Sequence, residues 1–162
     1  MNSPLPLSRA LSRQEFADLA RERLDVSRET FDLETMDRLD VYAETLKTWQ
    51  PRINLVSNKS LDDLWRRHFL DSVQLTKWIS PEMRVIDLGS GVVARALAPV
   101  TDLLGHAAGL MKPDGFCLFL KGAQADRELT DASEFWNIQV EQHQSLSDPD
   151  GAVLKIGNLT RV

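Results

Sequence analysis

The run Arg84-Val85-Ile86-Asp87-Leu88 ends in Gly89-Ser90-Gly91, and this feature most limits what the chain can fold into. A short apolar run feeding a glycine turn reads as a buried parallel strand whose end opens toward a ligand. Gly89 and Gly91 admit backbone angles closed to other residues, so main-chain amides can approach a bound group. In open α/β sheets ligands sit outside the carboxyl ends of the strands, where this turn lies. A tight strand-to-helix turn with no ligand is the plainer alternative. The dinucleotide fingerprint also requires a carboxylate on the next strand, about 20 residues on. Counting on from Asp87 lands in Gly105-His106-Ala107-Ala108-Gly109, which is neither acidic nor strand-like. The expected second βα unit is missing, so the sheet reads as incomplete.

The segments on either side fill in an α/β chain with a helical N-terminal part. Residues 1–80 are expected to form a helical cap, and 81–162 the α/β domain. Ser12-Arg13-Gln14-Glu15 is a capping box that starts a helix running to about Arg23. Leu39, Tyr42, Leu46 and Trp49 step by three, four and three, predicting a helix over 33–49 with one apolar stripe. Pro51 is expected to stop it. A loop over 52–59 leads to a short helix capped by Ser60, with Arg66, Arg67 and His68 at its end. Asp71 and Ser72 open a further helical stretch. Beyond the glycine turn, a helix over 97–110 precedes a buried strand over 116–120. A helix over 126–134 follows, and then strands over 136–142 and 152–159 joined as an antiparallel hairpin.

Composition narrows the function. A net charge of −5 argues against indiscriminate nucleic-acid binding, but 52–67 holds four basic residues against Asp62 and Asp63, a local basic face on an acidic protein. The single cysteine, Cys117, forms no internal disulfide and reads as a small core residue. His106 and His143 lack partners at metal-ligand spacing, so no metal is expected. No apolar run reaches the ~18 residues of a membrane span. With no secretory leader read at the N-terminus, a reducing cytoplasm is the expected home.

Five segments together resemble one family. They are Thr48-Trp49-Gln50-Pro51-Arg52-Ile53-Asn54-Leu55-Val56-Ser57, Arg67-His68-Phe69-Leu70-Asp71-Ser72, Val85 to Gly91, Ala94-Arg95-Ala96-Leu97-Ala98-Pro99, and Leu120-Lys121-Gly122. In order, and in spacing within the N- and C-terminal parts, they resemble the bacterial 16S rRNA guanine-N7 methyltransferases, also called the glucose-inhibited division protein B family. The resemblance implies a class I, Rossmann-like fold and S-adenosylmethionine-dependent methyl transfer to N7 of a guanine in 16S rRNA. Carried over by motif, Asp87, Gly89, Gly91 and Arg95 would line the cofactor, and Lys121 is a candidate catalytic residue. Arg67, His68, Asp71 and Ser72 form the signature expected to face RNA or cofactor.

The resemblance also locates a departure. Val92 follows Gly91 directly, where the family continues through about two βα units of roughly 30 residues each. About 60 residues are thus expected to be missing at the 91/92 junction, including the ribose carboxylate. Two functions follow: an rRNA methyltransferase, or an internally deleted, non-catalytic module that contacts RNA through 52–68. Plainer alternatives stand beside individual residues. Arg67 and His68 suit a helix C-terminus, Asp71 a helix cap and Lys121 an exposed strand edge. Trp49 and Trp78 suit the core better than base stacking.

Overall fold

The computed structural model describes residues 9–24, 31–86 and 98–162. The chain divides into two compact units, Met1–Lys77 and Trp78–Val162.

The first unit is helical. Helix α1 spans Arg13–Arg23, and its capping box forms as the sequence indicates, with Ser12 accepting from the Glu15 amide and Glu15 reaching back to the Ser12 amide. Helix α2 spans Leu33–Ile53, with Asp32 accepting from the Thr35 amide at its start. Pro51 does not stop α2. Its missing N–H leaves only the Lys47 carbonyl without a helical donor, and the helix continues for another half turn. The terminator is Asn54, which adopts the left-handed conformation at φ 44° and donates its amide to the Gln50 carbonyl. Asparagine visits that region far more readily than most residues.

The buried face of α2 also differs from the expected stripe. Met36, Ala43, Leu46 and Gln50 are buried, whereas Tyr42 and Trp49 are exposed. Met36, Leu39, Ala43, Leu46 and Gln50 step by three, four, three and four, a helical face rotated by about one residue from the expected one.

Helix α3 is the single turn Asn58–Leu61. Its cap is Ser57, which accepts from the Ser60 amide, so Ser60 lies inside the turn and does not cap it. Next comes a continuous helical run of three windings: a π-helix over Trp65–Leu70, α4 over Asp71–Val73 and a 3-10 turn over Gln74–Trp78. Asp71 is therefore mid-helix and wholly buried, not a cap. Around this run the unit builds its core. Phe16 of α1, fully buried, meets Phe31, Trp65 and Phe69 at ring-centroid distances of 5.6, 5.3 and 6.2 Å, and such aromatic pairs add to plain area burial.

The second unit is α/β. Arg84, Val85 and Ile86 are not in a strand, and Val85 and Ile86 are 60% and 56% exposed. The described half of the expected glycine-turn strand is thus neither paired nor buried: a parallel strand needs a neighbour to take its backbone hydrogen bonds, and no strand among the described residues pairs with it. Helix α5 spans Val100–Ala108, β1 Phe116–Lys121, α6 Ala125–Ser133, β2 Trp136–Gln144 and β3 Ala152–Arg161. The sheet order is β1-β3-β2. β3 runs antiparallel to both neighbours, with Phe116 opposite Gly157 on one side and Gln144 opposite Ala152 on the other. β1 and β2 are therefore mutually parallel, joined by the crossover helix α6, and the last strand is inserted between them.

The expected hairpin is present, with one irregularity between Asn137 and Gln139. Close to it Asn158 takes φ 52° and donates to the Gln139 side-chain oxygen at 2.7 Å. The hairpin loop is held by Gln144, whose amide donates to the carbonyls of Asp148, Pro149 and Gly151 at 3.1, 2.9 and 3.0 Å. Val100, Leu104, Phe119, Ala132, Trp136, Leu154 and Ile156 make the core between the helices and one face of the sheet. No helix among the described residues is long and apolar enough to cross a membrane.

Candidate functional site

The end of α2 is organised by a residue that sequence reasoning passed over. Gln50 is buried. Its amide nitrogen donates to the Val56 carbonyl, and its oxygen accepts from the Val56 amide at 2.9 Å. The same nitrogen lies 3.2 Å from Asn54 Oδ1 and 3.3 Å from Asn58 Oδ1. One side chain therefore mimics a strand partner for Val56, and the loop over 54–58 is clasped to the last turn of the helix. The available signal was a polar residue in register with the apolar stripe, since a buried amide must find partners.

The signature segment lies on the helical run at the centre of the first unit. Arg66, His68, Phe69, Leu70 and Asp71 are all buried, a nearly all-round burial that marks an internal helix. Each polar member is held. Arg66 donates to Asp63 at 2.8 Å and to the Arg9 carbonyl at 3.0 Å, and the other Asp63 oxygen accepts from the Leu11 amide at 2.7 Å. The Ser60 hydroxyl donates to the Ser57 carbonyl at 2.7 Å, so its oxygen accepts from His68 Nε2 at 2.9 Å. Gln74 donates to Asp71 at 3.3 Å. Arg67 and Ser72 are half-buried. The signature thus lies across a π-helix, a winding that recurs at functional sites.

Lys121 ends β1 in the second unit and is 5% exposed, not an open edge residue. Its ammonium donates to the Ala98 carbonyl at 2.8 Å and pairs with Glu128 at 2.6 Å. The same Glu128 oxygen accepts from the Val100 amide at 2.9 Å. Lysine and glutamate together fasten the residues just before α5, three positions beyond Arg95, onto the strand end. Asp87, Gly89, Gly91 and Arg95 lie outside the described residues. Among the described residues of the first unit, a cavity of about 200 Å³ is bounded by Arg9, Leu11, Glu15, Asp18, Glu22 and Arg66. It has no glycine turn and no strand end, so the described residues do not by themselves form a cradle for a nucleoside cofactor.

Other candidates resolve simply. No group of metal-ligating side chains occurs among the described residues. Cys117, half-buried, has its thiol pushed up to about 11 by burial, which suits an inert core residue. Trp78 is half-buried with its ring 4.9 Å from that of His143.

A helical unit with a loop-clasped end is followed in sequence by an α/β unit in which β3 runs antiparallel between β1 and β2. Residues 35–92 match the family model for rRNA small subunit methyltransferase G. The chain is 33% identical to the ribosomal RNA small subunit methyltransferase G of Gluconobacter oxydans, over 82% of this chain and 98% of that protein. It is 34% identical to the protein of that name from Rhodospirillum centenum, over 78% of this chain and 85% of the relative. Against the one from Parvibaculum lavamentivorans it is 37% identical, over 78% and 84%. No solved structure matches significantly. The chain belongs to the rRNA small subunit methyltransferase G family.

The same alignments measure the shortening. The Gluconobacter match extends over 190 positions but uses 82% of 162 residues, about 133, so about 57 positions have no residue in this chain. The family match ends at residue 92, one past Gly91.

Proposed function

We propose that this chain methylates N7 of a guanine in 16S rRNA, with S-adenosylmethionine as methyl donor. The observation that carries this reading is the match to nearly the full length of relatives named for small-subunit rRNA methylation. The fold supports it. A βαβ crossover with the last strand inserted antiparallel suits the trailing half of a class I methyltransferase sheet. In this reading residues 1–80 are the cap and 81–162 the shortened catalytic domain, with the missing segment at 91/92.

N7 is an unprotonated acceptor at neutral pH, so the reaction needs the methyl group placed in line and no general base. Lys121, the catalytic candidate by motif, pairs with Glu128 and donates to the Ala98 carbonyl, which supports a positioning role at the end of β1. Asp87, Gly89, Gly91 and Arg95 are the residues proposed to hold the cofactor. Arg67, His68, Asp71 and Ser72 are proposed to shape the side that meets RNA, and the ribosome as substrate places the reaction in the cytoplasm. Isothermal titration of the chain with S-adenosylmethionine, with labelled methyl transfer to small subunits lacking this modification, tests the reading. Micromolar binding and transfer are expected. Absence of both, with RNA still bound, overturns it in favour of a non-catalytic RNA-contacting module.

A further inference from the structure

Gln50 takes the inward place at the end of α2, and the ring beside it is turned out. Trp49 is 45% exposed, and Ile53 and Leu55 just beyond are more than half exposed. The Arg52 guanidinium carbon stands 5.3 Å from the Trp49 ring centroid. Elsewhere on α2 and the signature helix Arg38 pairs with Glu34, Lys47 with Glu44 and Arg66 with Asp63. Among the described residues no carboxylate pairs with Arg52 or with exposed Lys59, which α3 carries next to Asn58. Gln50 ties Val56 and Asn58 to the end of α2, which holds α3 and the backbone that carries Lys59 to the helix end beside Trp49.

We propose that Trp49 and Arg52, with Lys59 beside them, form a stacking platform for an unpaired base of the RNA and its flanking phosphates. The proposal rests on the reading that the chain acts on ribosomal RNA. Every base offers a face to an aromatic ring, and a guanidinium both stacks and donates to phosphate. RNA proteins read splayed, single-stranded nucleotides in this way. An anionic occupant fits a cluster whose cations lack carboxylate partners.

The test measures binding of the full chain to protein-free 16S rRNA and to assembled small subunits across a salt series. W49A is expected to lose about 5- to 150-fold in affinity, the range found for one stacked base, and W49F to recover most of it. R52Q is expected to lower the salt slope by about 0.7 for the phosphate it releases. K47Q, whose lysine is spent on Glu44, is expected to stay within about twofold, and circular dichroism checks that each variant is folded. If wild type binds rRNA and W49A and R52Q bind it equally well, this inference fails and the functional reading stands. If wild type binds no rRNA, the functional reading fails first. Loss confined to assembled subunits overturns the inference in favour of a ribosomal protein as occupant.

Discussion

Replacing Lys121 by methionine removes one charge from a pair that is almost out of water and leaves the methylene volume nearly unchanged. The lysine side chain is 5% exposed and that of Glu128 23%. Removing one partner of a buried pair typically costs about 3–5 kcal/mol, because the other charge is left without compensation. Here Glu128 keeps the Val100 amide at 2.9 Å, and water reaches about a quarter of its side chain, so K121M should fall lower, at about 2–3 kcal/mol. E128Q strands the more deeply buried ammonium on the Ala98 carbonyl and should cost the full range of about 3–5 kcal/mol. The double variant removes both charges and should be less destabilised than the sum by about 1–3 kcal/mol. Urea denaturation followed by circular dichroism reads this directly. With a slope of about 1–3 kcal/mol per molar, K121M should lower the midpoint by about 0.7–3 M. A K121M midpoint within error of wild type, or an additive double variant, would refute the reasoning and restore Lys121 as an exposed strand-end residue, whose loss costs no more than about 0.5 kcal/mol.

Three further outcomes are expected. Gln50→Leu removes both bonds to the Val56 backbone and should cost about 1–3 kcal/mol, with amide exchange accelerated over 54–58; unchanged exchange there would show that the loop holds itself. Leu154→Ala, fully buried on the central strand β3, should cost about 2–5 kcal/mol in thermal or urea unfolding, and a cost below about 1 kcal/mol would contradict the core described. Glu15 has its carboxyl lowered to about 2, first by the Arg9 guanidinium and then by the Ser12 hydroxyl. Because its folded value lies below the ordinary one, the stabilisation is present above about pH 4.5 and is lost as pH falls toward 2. E15Q should therefore unfold more easily than wild type at pH 6 and match it near pH 2; a difference that persists at pH 2 would show that the glutamate acts through something other than its charge.

Much of the architecture was legible in local chemistry. The Ser12 capping box, the α6 helix and the long hairpin after Trp136 each depend on neighbours close in sequence, and each formed where its residues indicated. The signature and the shortening were legible too, since both are statements about residue order. Positions decided over longer distances were not. Pro51 reads as a stop, but its lost hydrogen bond is affordable within a helix that Asn54 ends and Gln50 clasps. Trp49 reads as core, but the helix face is set by what packs against it, and Gln50 holds the inward register.

Family membership and the absence of about 57 aligned positions follow from residue order alone, with the capping box and the αβ succession of elements. Tertiary structure alone decided that Asp71 is buried in mid-helix, that Lys121 is spent on Glu128, and that β3 enters between β1 and β2. It also turned Trp49 outward beside Arg52. The reason is physical: caps and turns are settled by hydrogen bonds within a few residues. Burial, strand order and ion pairing depend on partners brought together from distant parts of the chain, and no local pattern specifies which partner arrives.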